Sequence, residues 1–465
     1  MSLAEKIYSS LPPSAQNIAL AAFGYTWHKR RFGGVFKTEL VKYKDRENFS
    51  RQQWEDYQTI ELRNLLIHAF STVPLYAEKY KKAGFGLSDF QKFELNDLSK
   101  LPFLEKEELR AFGTTSLLSS KPEKNGQYFT SSGSTGTPVK ILFSLAMHQR
   151  WSAAFESRIR HWAGVSRFDS RGMIGGRKIL GKLHTAPFYR YNSVEKQVYF
   201  SIYHLSKQNA RNYYEAIQKY KLDYMTGYAI SNGVLASFIN EMGWETLPLK
   251  AVITSSEKLT NTMRQNFQKA YSCKTFDSYG SIEACSLISE TKNGDLLASP
   301  DVGIMEILNS QNQPAAIGEF GEIIATGFLN YDQPLIRYKI GDMAVLKQEW
   351  GNSNGLEMPV FAEITGRTDD VLTFGDGRTI GSFNRFFADL SSIRETQVIQ
   401  TKPNELLIKL VTTSDYNKLT ENDLLNSIKS RIGSEIAIEL EYIDQIPRNN
   451  NGKFKAVISL LPKNK

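Results

Sequence analysis

Between Tyr128 and Phe143 the sequence reads YFTSSGSTGTPVKILF. The stretch Ser131-Ser132-Gly133-Ser134-Thr135-Gly136-Thr137 sits between aromatic and β-branched neighbours and carries almost no side-chain bulk. Such a loop offers many backbone N–H groups and several hydroxyls, and it can fold closely around a ligand rich in anionic oxygens. A polyphosphate is the natural candidate. The loop is not a Walker loop, because no Lys directly follows its second glycine. A stretch of this composition also serves as an ordinary turn, so its meaning depends on what the rest of the chain places beside it.

The elements that must position this loop fall into three regions. Residues 1–85 read as a helical leader: IELRNLLIHAF places Ile60, Leu62, Leu65, Leu66, Ala69 and Phe70 with helix-like spacing, and VPLYAEKYKKAG follows with a Pro break and a Gly stop. KAVITSS, NTMRQNFQKAY and KTFDSYG then read as strand, helix and strand, a βαβ rhythm that implies a parallel sheet with packed helices. From Gly303, the segments GIMEIL, GEIIATGF, IRYKIGDMAVL and VFAEITG are short strands between Gly, Asn and Pro turns, as in a barrel-like antiparallel subdomain over residues 300–367. After GRTDD, residues 368–465 read as a compact α+β tail: two strands in TQVIQTKPNELLIKLV, a helix in NKLTENDLLNSIKSRI opening on a Thr-x-x-Asp signal, and a strand in IAIELEYI. The expected fold is therefore α/β, with a large N-terminal domain (1–367) of mixed β-sheets and packed helices and a small C-terminal α+β domain.

With 465 residues, 41% hydrophobic and 23% charged, the chain has the make-up of a multi-domain globular protein rather than a disordered one. No apolar run approaches a membrane span, and IALAAFGY near the start is too short, which gives a cytoplasmic reading. Cys273 and Cys285 are too few for a disulfide framework or a cysteine zinc site, and each is expected as a buried thiol. The net charge is +8, with part of the excess in HKRRFGGVFKTELVKYK (His28 to Lys44). That run is a solvated basic face, or a surface for phosphate-bearing substrates, acidic polymers or peripheral association with an anionic membrane. No nucleic-acid partner is expected, as no zinc-finger spacing, RNP-type motif or basic recognition helix occurs.

Four further motifs follow the loop in order. They are SYGSIEA with Tyr279, Gly280, Ser281 and Glu283; RYKIGD ending in Asp342; GRTDD with Arg367 and Asp369; and PRNNNGKFKAVIS with Lys453. In this order they resemble the signatures of the adenylate-forming superfamily of acyl–coenzyme A synthetases, peptide-synthetase adenylation domains and luciferases. LPPSAQN, LRNLLIHAFSTVPLY and TFGDGRTI add a likeness to the phenylacetate–coenzyme A ligase branch and its capsular-polysaccharide (CapK-type) members.

The resemblance implies a division of labour. The residues Ser131 to Thr137 would hold the β- and γ-phosphates of ATP. Glu283 would bind Mg²⁺, since hard cations prefer carboxylate oxygen, and Ser281 would reach the α-phosphate. Tyr279 would lie against adenine, Asp342 would accept both ribose hydroxyls, and Arg367 would reach ribose or phosphate. Lys453 would bring a mobile positive charge to the incoming carboxylate and the α-phosphate. Asp369 would be the hinge about which a small, mobile C-terminal domain turns.

The loop departs from many relatives in its Thr-Pro-Val-Lys order, which leaves the role of Lys140 open. Relatives with Cys and His after the Tyr-Gly-x-x-Glu motif contrast with CSLISETKNGDLLASPDVG here, so no zinc is expected. The acyl pocket is expected to draw on GYAISNG, TSSEKL and GGRKILGKLH, where Tyr228 is wall or core and Arg177 and Lys178 are substrate contacts or surface charges. The implied reaction is ATP-dependent activation of a small carboxylic acid, then transfer of the acyl group to a thiol, with coenzyme A expected. The alternatives are transfer to an amine or hydroxyl in surface polysaccharide synthesis, and a non-catalytic scaffold in such a pathway.

Overall fold

The computed structural model describes residues 3–131, 138–180, 185–367, 372–375, 379–380, 387, 390, 392–449 and 452–461. Two compact units divide the chain, and neither is continuous in sequence. One comprises Met1–Ala22, Phe168–Thr275 and Thr365–Lys465; the other comprises Phe23–Arg167 and Phe276–Ile364.

The first unit contains the βαβ region. Strand Arg171–Gly175 lies between Gln197–Ser201 and Tyr224–Tyr228, and Ala251–Ser255 pairs beyond the latter; these four are parallel. Tyr189–Asn192 adds an antiparallel strand beside Gln197–Ser201. Helices Ala210–Lys219, Ala229–Glu241 and Asn261–Tyr271 supply apolar faces to a core that includes Phe200, Tyr213, Met225, Leu235, Val252 and Phe267. Gly227 shows how closely strand and turn approach. Its φ is +122°, and a Cβ there would fall 2.0 Å from the Ile174 carbonyl oxygen, so no other residue fits.

The same unit holds the tail. Strands Ala437–Tyr442, Glu405–Thr412, Ile393–Lys402 and Val457–Ser459 form a four-stranded sheet in that order. Helix Lys418–Ile432 packs Leu424, Ile428 and Ile432 into a core with Val398, Leu406, Ile408 and Leu410. The helix fills the expected segment, but the Thr-x-x-Asp signal is not its cap. Its N-cap is Asn417, whose side chain accepts from the N–H groups of Leu419 and Thr420, so Thr420 already lies in the first turn. An Asn oxygen reaches the orphan amides at least as well as a Thr hydroxyl, and the chain begins the helix at the earlier residue.

The second unit opens with helices. Ser50 and Gln53 form a capping box at the start of Arg51–Thr72, and Pro74 begins the next helix, Pro74–Lys82, where its missing N–H costs nothing. Antiparallel strands follow the Gly303 boundary as expected: Gly303–Leu308 pairs with Phe320–Gly327, which pairs with Tyr338–Ser353. A second antiparallel run links Leu356–Arg367, Leu296–Ala298, Leu287–Glu290 and Lys274–Gly280. Charges are buried here to an unexpected degree. Arg158, fully buried, pairs with Asp301 at 3.0 Å and Glu47 at 2.7 Å, and Arg46 also reaches Asp301 at 3.0 Å. The fold class read from the sequence is thus found: mixed α/β, with a large sheet-bearing N-terminal part and a smaller α+β C-terminal part. Among the described residues no helix is long and apolar enough to cross a membrane.

Candidate functional site

The Ser/Thr/Gly stretch is carried by a hairpin. Strands Gln127–Thr130 and Lys140–Phe143 pair antiparallel, with Thr130 opposite Lys140. Ser131 closes the neck: its N–H donates to the Val139 carbonyl at 3.0 Å, and its hydroxyl accepts from the Val139 N–H at 3.0 Å. Ser132 to Thr137 lie outside the described residues. Lys140 is exposed on the second strand.

Beneath the hairpin lies His148, buried against Trp27, Phe129 and Phe143 at ring-centroid distances of 5.0, 5.4 and 5.5 Å. Burial, with Arg30 and Arg31 nearby, holds its pKa down to about 3. A histidine that is neutral in the fold and basic when unfolded stabilises fully above its unfolded pKa of about 6.5, and that contribution is lost as pH falls through this value towards the folded one. The protein is expected to lose on the order of 2 kcal/mol through His148 between pH 7 and pH 5. His148→Gln should flatten that part of the pH dependence in chemical denaturation series; an unaltered slope would refute the assignment.

The Tyr-Gly-x-x-Glu and Arg-Tyr-x-x-Gly-Asp motifs meet. Tyr279 is next to last in strand Lys274–Gly280, and a turn in which the Ala284 N–H donates to the Ser281 carbonyl at 3.1 Å carries Glu283. In strand Tyr338–Ser353 the ladder to Phe320–Gly327 is interrupted: Ile324 faces Lys339 while Glu322 faces Met343. This bulge, with Gly341 at φ +80°, takes Asp342 out of the regular pairing and re-aims it. The Tyr279 hydroxyl donates to Asp342 Oδ2 at 2.8 Å. Reciprocally, the hydroxyl of the fully buried Tyr338 donates to Glu283 Oε1 over 3.4 Å. Burial, reinforced by these carboxylates, pushes both phenols well above the usual tyrosine range, so both remain donors.

Glu283 is only 6% exposed. Beside it, Ser281 Oγ is buried with no hydrogen-bond partner among the described residues. A buried hydroxyl without a partner is a costly feature unless a ligand completes it. Cys285 follows as a buried thiol whose pKa burial raises; Cys273 is likewise buried, its pKa pushed up to about 12.

Sequence reasoning assigned no role to Tyr338 or Arg337, although both stand in the quoted motif. Arg337 has φ +46° and is buried; its guanidinium pairs with both Glu306 oxygens, at 3.0 and 2.8 Å, and donates to the carbonyls of Ser99 and Leu101. It fixes the start of the strand that carries Asp342. The usable signal was an Arg-Tyr pair leading a glycine-aspartate corner.

Lys453 belongs to the other unit. Its Nζ donates to the Ser256 carbonyl at 3.3 Å and lies 5.0 Å from the Tyr228 ring centroid. Those residues belong to TSSEKL and GYAISNG, two of the expected acyl-pocket segments, and Tyr228 is only partly buried. Close by, Glu257 accepts from the Ile230 N–H at 3.0 Å; burial raises its pKa against the pull of Lys453 and Arg448.

The turn that presents Lys453 is tied at both ends. The Asn449 N–H donates to the Lys453 carbonyl at 2.7 Å, Asn449 Oδ1 accepts from the Lys453 N–H at 3.1 Å, and Arg448 pairs with buried Glu395. Gly452 sits at φ +79°, and a Cβ there would come within 2.8 Å of Ile202. Gly452→Ala is expected to cost about 1–2 kcal/mol in denaturation midpoint experiments, from the left-handed backbone alone. A variant as stable as wild type would show that this turn relaxes freely.

Arg177 stacks on Tyr199 at 4.9 Å and Lys178 is exposed. Arg367 ends strand Leu356–Arg367, while its side chain and Asp369 lie outside the described residues. Among the described residues no group of three or more His, Cys, Asp or Glu side chains is placed to hold a metal ion.

Comparison with known proteins agrees with the motifs. Residues 374–460 match the family model described as the CapK C-terminal domain. Protein CapK of Staphylococcus aureus is 25% identical over 97% of this chain and 98% of its own. A phenylacetate–coenzyme A ligase of Pseudomonas putida is 24% identical over 90% of this chain and 88% of its own. Among solved structures, 2-hydroxyisobutyryl-CoA ligase in the postadenylation state with R3-HIB-AMP superposes with a TM-score of 0.69 at 17% identity, covering 89% of this chain and 91% of that one. The chain therefore resembles CapK over nearly its whole length and phenylacetate–coenzyme A ligases over most of it, and it has the fold of an adenylate-forming acyl-CoA ligase.

Proposed function

We propose that this chain is an AMP-forming ligase that activates a carboxylic acid with ATP and passes the acyl group to a thiol, coenzyme A. The observation that carries the reading is the reciprocal locking of two motifs: each tyrosine holds the other motif's carboxylate, Tyr279 with Asp342 and Tyr338 with Glu283. Two carboxylates fixed in this way suit two different oxygen-rich partners, one a pair of ribose hydroxyls and the other a cation on phosphate.

In the first step a substrate carboxylate oxygen attacks the α-phosphorus of ATP. A new P–O bond forms, the α–β bridging bond breaks, and pyrophosphate leaves with the bonding pair. Lys453 neutralises charge that builds between carboxylate and α-phosphate, and Ser281 offers its buried hydroxyl, without a partner among the described residues, to the same phosphate. The residues from Ser131 to Thr137 hold the outer phosphates. The buried Glu283 fits a Mg²⁺ ion, since that ion takes one or two protein carboxylates and completes its shell with phosphates and water. When bound, Mg²⁺ would offset phosphate charge. In the second step a thiolate attacks the acyl carbon and AMP leaves. Arg367 as a nucleotide contact, and Asp369 as the pivot of residues 368–465, complete the scheme.

A second reading keeps adenylation but ends on an amine or hydroxyl of a sugar in surface polysaccharide synthesis. It is supported by the CapK C-terminal domain match and the near full-length likeness to CapK. A pyrophosphate-release screen over aryl, fatty and amino acids, followed by acceptor assays with coenzyme A against amino sugars, tests both. Thioester formation supports the first reading and sugar acylation the second. Absence of any ATP binding by calorimetry would overturn both.

A further inference from the structure

The basic run from His28 to Lys44 has no role in the scheme above, yet one of its residues is built into the hairpin that carries Ser131. Helix Pro13–Phe32 places Arg30 there. Its Nη1 donates to the Asn125 carbonyl at 3.1 Å, its Nη2 to the Phe143 carbonyl at 2.9 Å, and its Nε to His148 Nδ1 at 3.2 Å. Asn125 lies just before strand Gln127–Thr130, and Phe143 is the last residue of Lys140–Phe143. One planar fork thus joins the two chain ends of the hairpin, at the end opposite Ser131.

The hairpin needs such help. Among the described residues it is a two-stranded sheet with four residues in each strand and no third strand, and a lone hairpin of this size is marginal in water. Its outer edge is likewise held by side chains. The fully buried Gln333 accepts from the Leu142 N–H at 2.7 Å and donates to the Lys140 carbonyl at 3.1 Å, and Asn330 donates to the Leu142 carbonyl at 3.0 Å. On the Arg30 side, Trp27 packs on Phe129 at 5.9 Å, so helix and hairpin share an aromatic floor with His148. His148 contributes a bare Nδ1 to the fork because it stays neutral.

We propose that Arg30 is a positioning residue for ATP: it fixes the open end of the hairpin, and through the strands it sets where the Ser131 end meets the outer phosphates. The inference rests on the functional reading above. It also divides the basic run. Lys29, one residue away, is exposed and lies 4.4 Å over the Tyr25 ring, so it carries charge without touching the hairpin.

The test is calorimetric binding of ATP and of AMP to the full-length chain carrying Arg30→Ala, Arg30→Lys or Lys29→Ala. A misplaced hairpin should penalise the nucleotide with β- and γ-phosphates and spare the one without. Arg30→Ala is expected to weaken ATP about tenfold or more, with AMP affinity near wild type. Arg30→Lys should fail to rescue, since an ammonium cannot make three bonds in a fixed fork. Lys29→Ala should bind both nucleotides as wild type does. Equal losses for ATP and AMP, full affinity in Arg30→Lys, or the same ATP loss in Lys29→Ala would each overturn the proposal, the last two in favour of a general charge effect. Wild-type protein that binds neither nucleotide would overturn the underlying functional reading, and this one with it.

Discussion

Lys453→Ala is expected to lower acyl-adenylate formation by about 100- to 1,000-fold, while thioester formation from a supplied acyl-adenylate stays within a few-fold of wild type. The reason is where charge develops. Two anions must approach before pyrophosphate leaves, and only a cation present at that moment lowers the barrier, so its loss falls on the transition state rather than on either substrate's affinity. The structure prepares the side chain for this. The Asn449–Lys453 turn is closed by reciprocal hydrogen bonds, Gly452 allows its close approach to Ile202, and the ammonium meets the Ser256 carbonyl and the Tyr228 ring. ATP–pyrophosphate exchange and thioester synthesis measured on one preparation decide the matter: exchange near the wild-type rate, or equal loss in both half-reactions, would remove Lys453 from the adenylation step.

Much of this was legible in the sequence because the signals are local. The βαβ elements follow from short apolar runs bounded by turns, and the antiparallel region from Gly303 onward from regular Gly and Asn punctuation. Positions that bring an unusual residue to a corner, such as Gly341-Asp342 and Gly452-Lys453, also show locally, because a left-handed backbone favours glycine.

What escaped were relations between distant residues. The burial of Arg46 and Arg158 depends on Glu47 and Asp301, and charge on a helix reads as solvated until its partner is known. The role of Arg30 depends on carbonyls about a hundred residues away. Helix Lys418–Ile432 shows a smaller limit: Asn417 and Thr420 are both acceptable cap residues, and only the structure shows which of them caps the helix. Tyr338 was overlooked for a different reason. Inside a strand, a buried tyrosine is normally core, and nothing along the chain says that its hydroxyl reaches Glu283.

The pairing of Tyr279 with Asp342 leads to the second large effect. Asp342→Ala is expected to weaken ATP binding by about 100-fold or more, with the affinity for the acid little changed. A carboxylate that accepts two ribose hydroxyls makes two charge-assisted bonds, each worth roughly 1.5–3 kcal/mol, and alanine leaves both donors, and the Tyr279 hydroxyl, without an acceptor. Asp342→Asn keeps one carbonyl oxygen and loses the charge, so it should fall between wild type and alanine. Tyr279→Phe separates holding from binding. It removes only the 2.8 Å bond that orients the carboxylate and keeps the ring, so its effect should be smaller than that of Asp342→Ala, and the double variant should lose less than the sum of the two. Additive losses would mean that the two residues act on the nucleotide independently. An unchanged nucleotide Kd in Asp342→Ala would take the carboxylate out of the site altogether, leaving the bulge at Gly341 as a turn and no more.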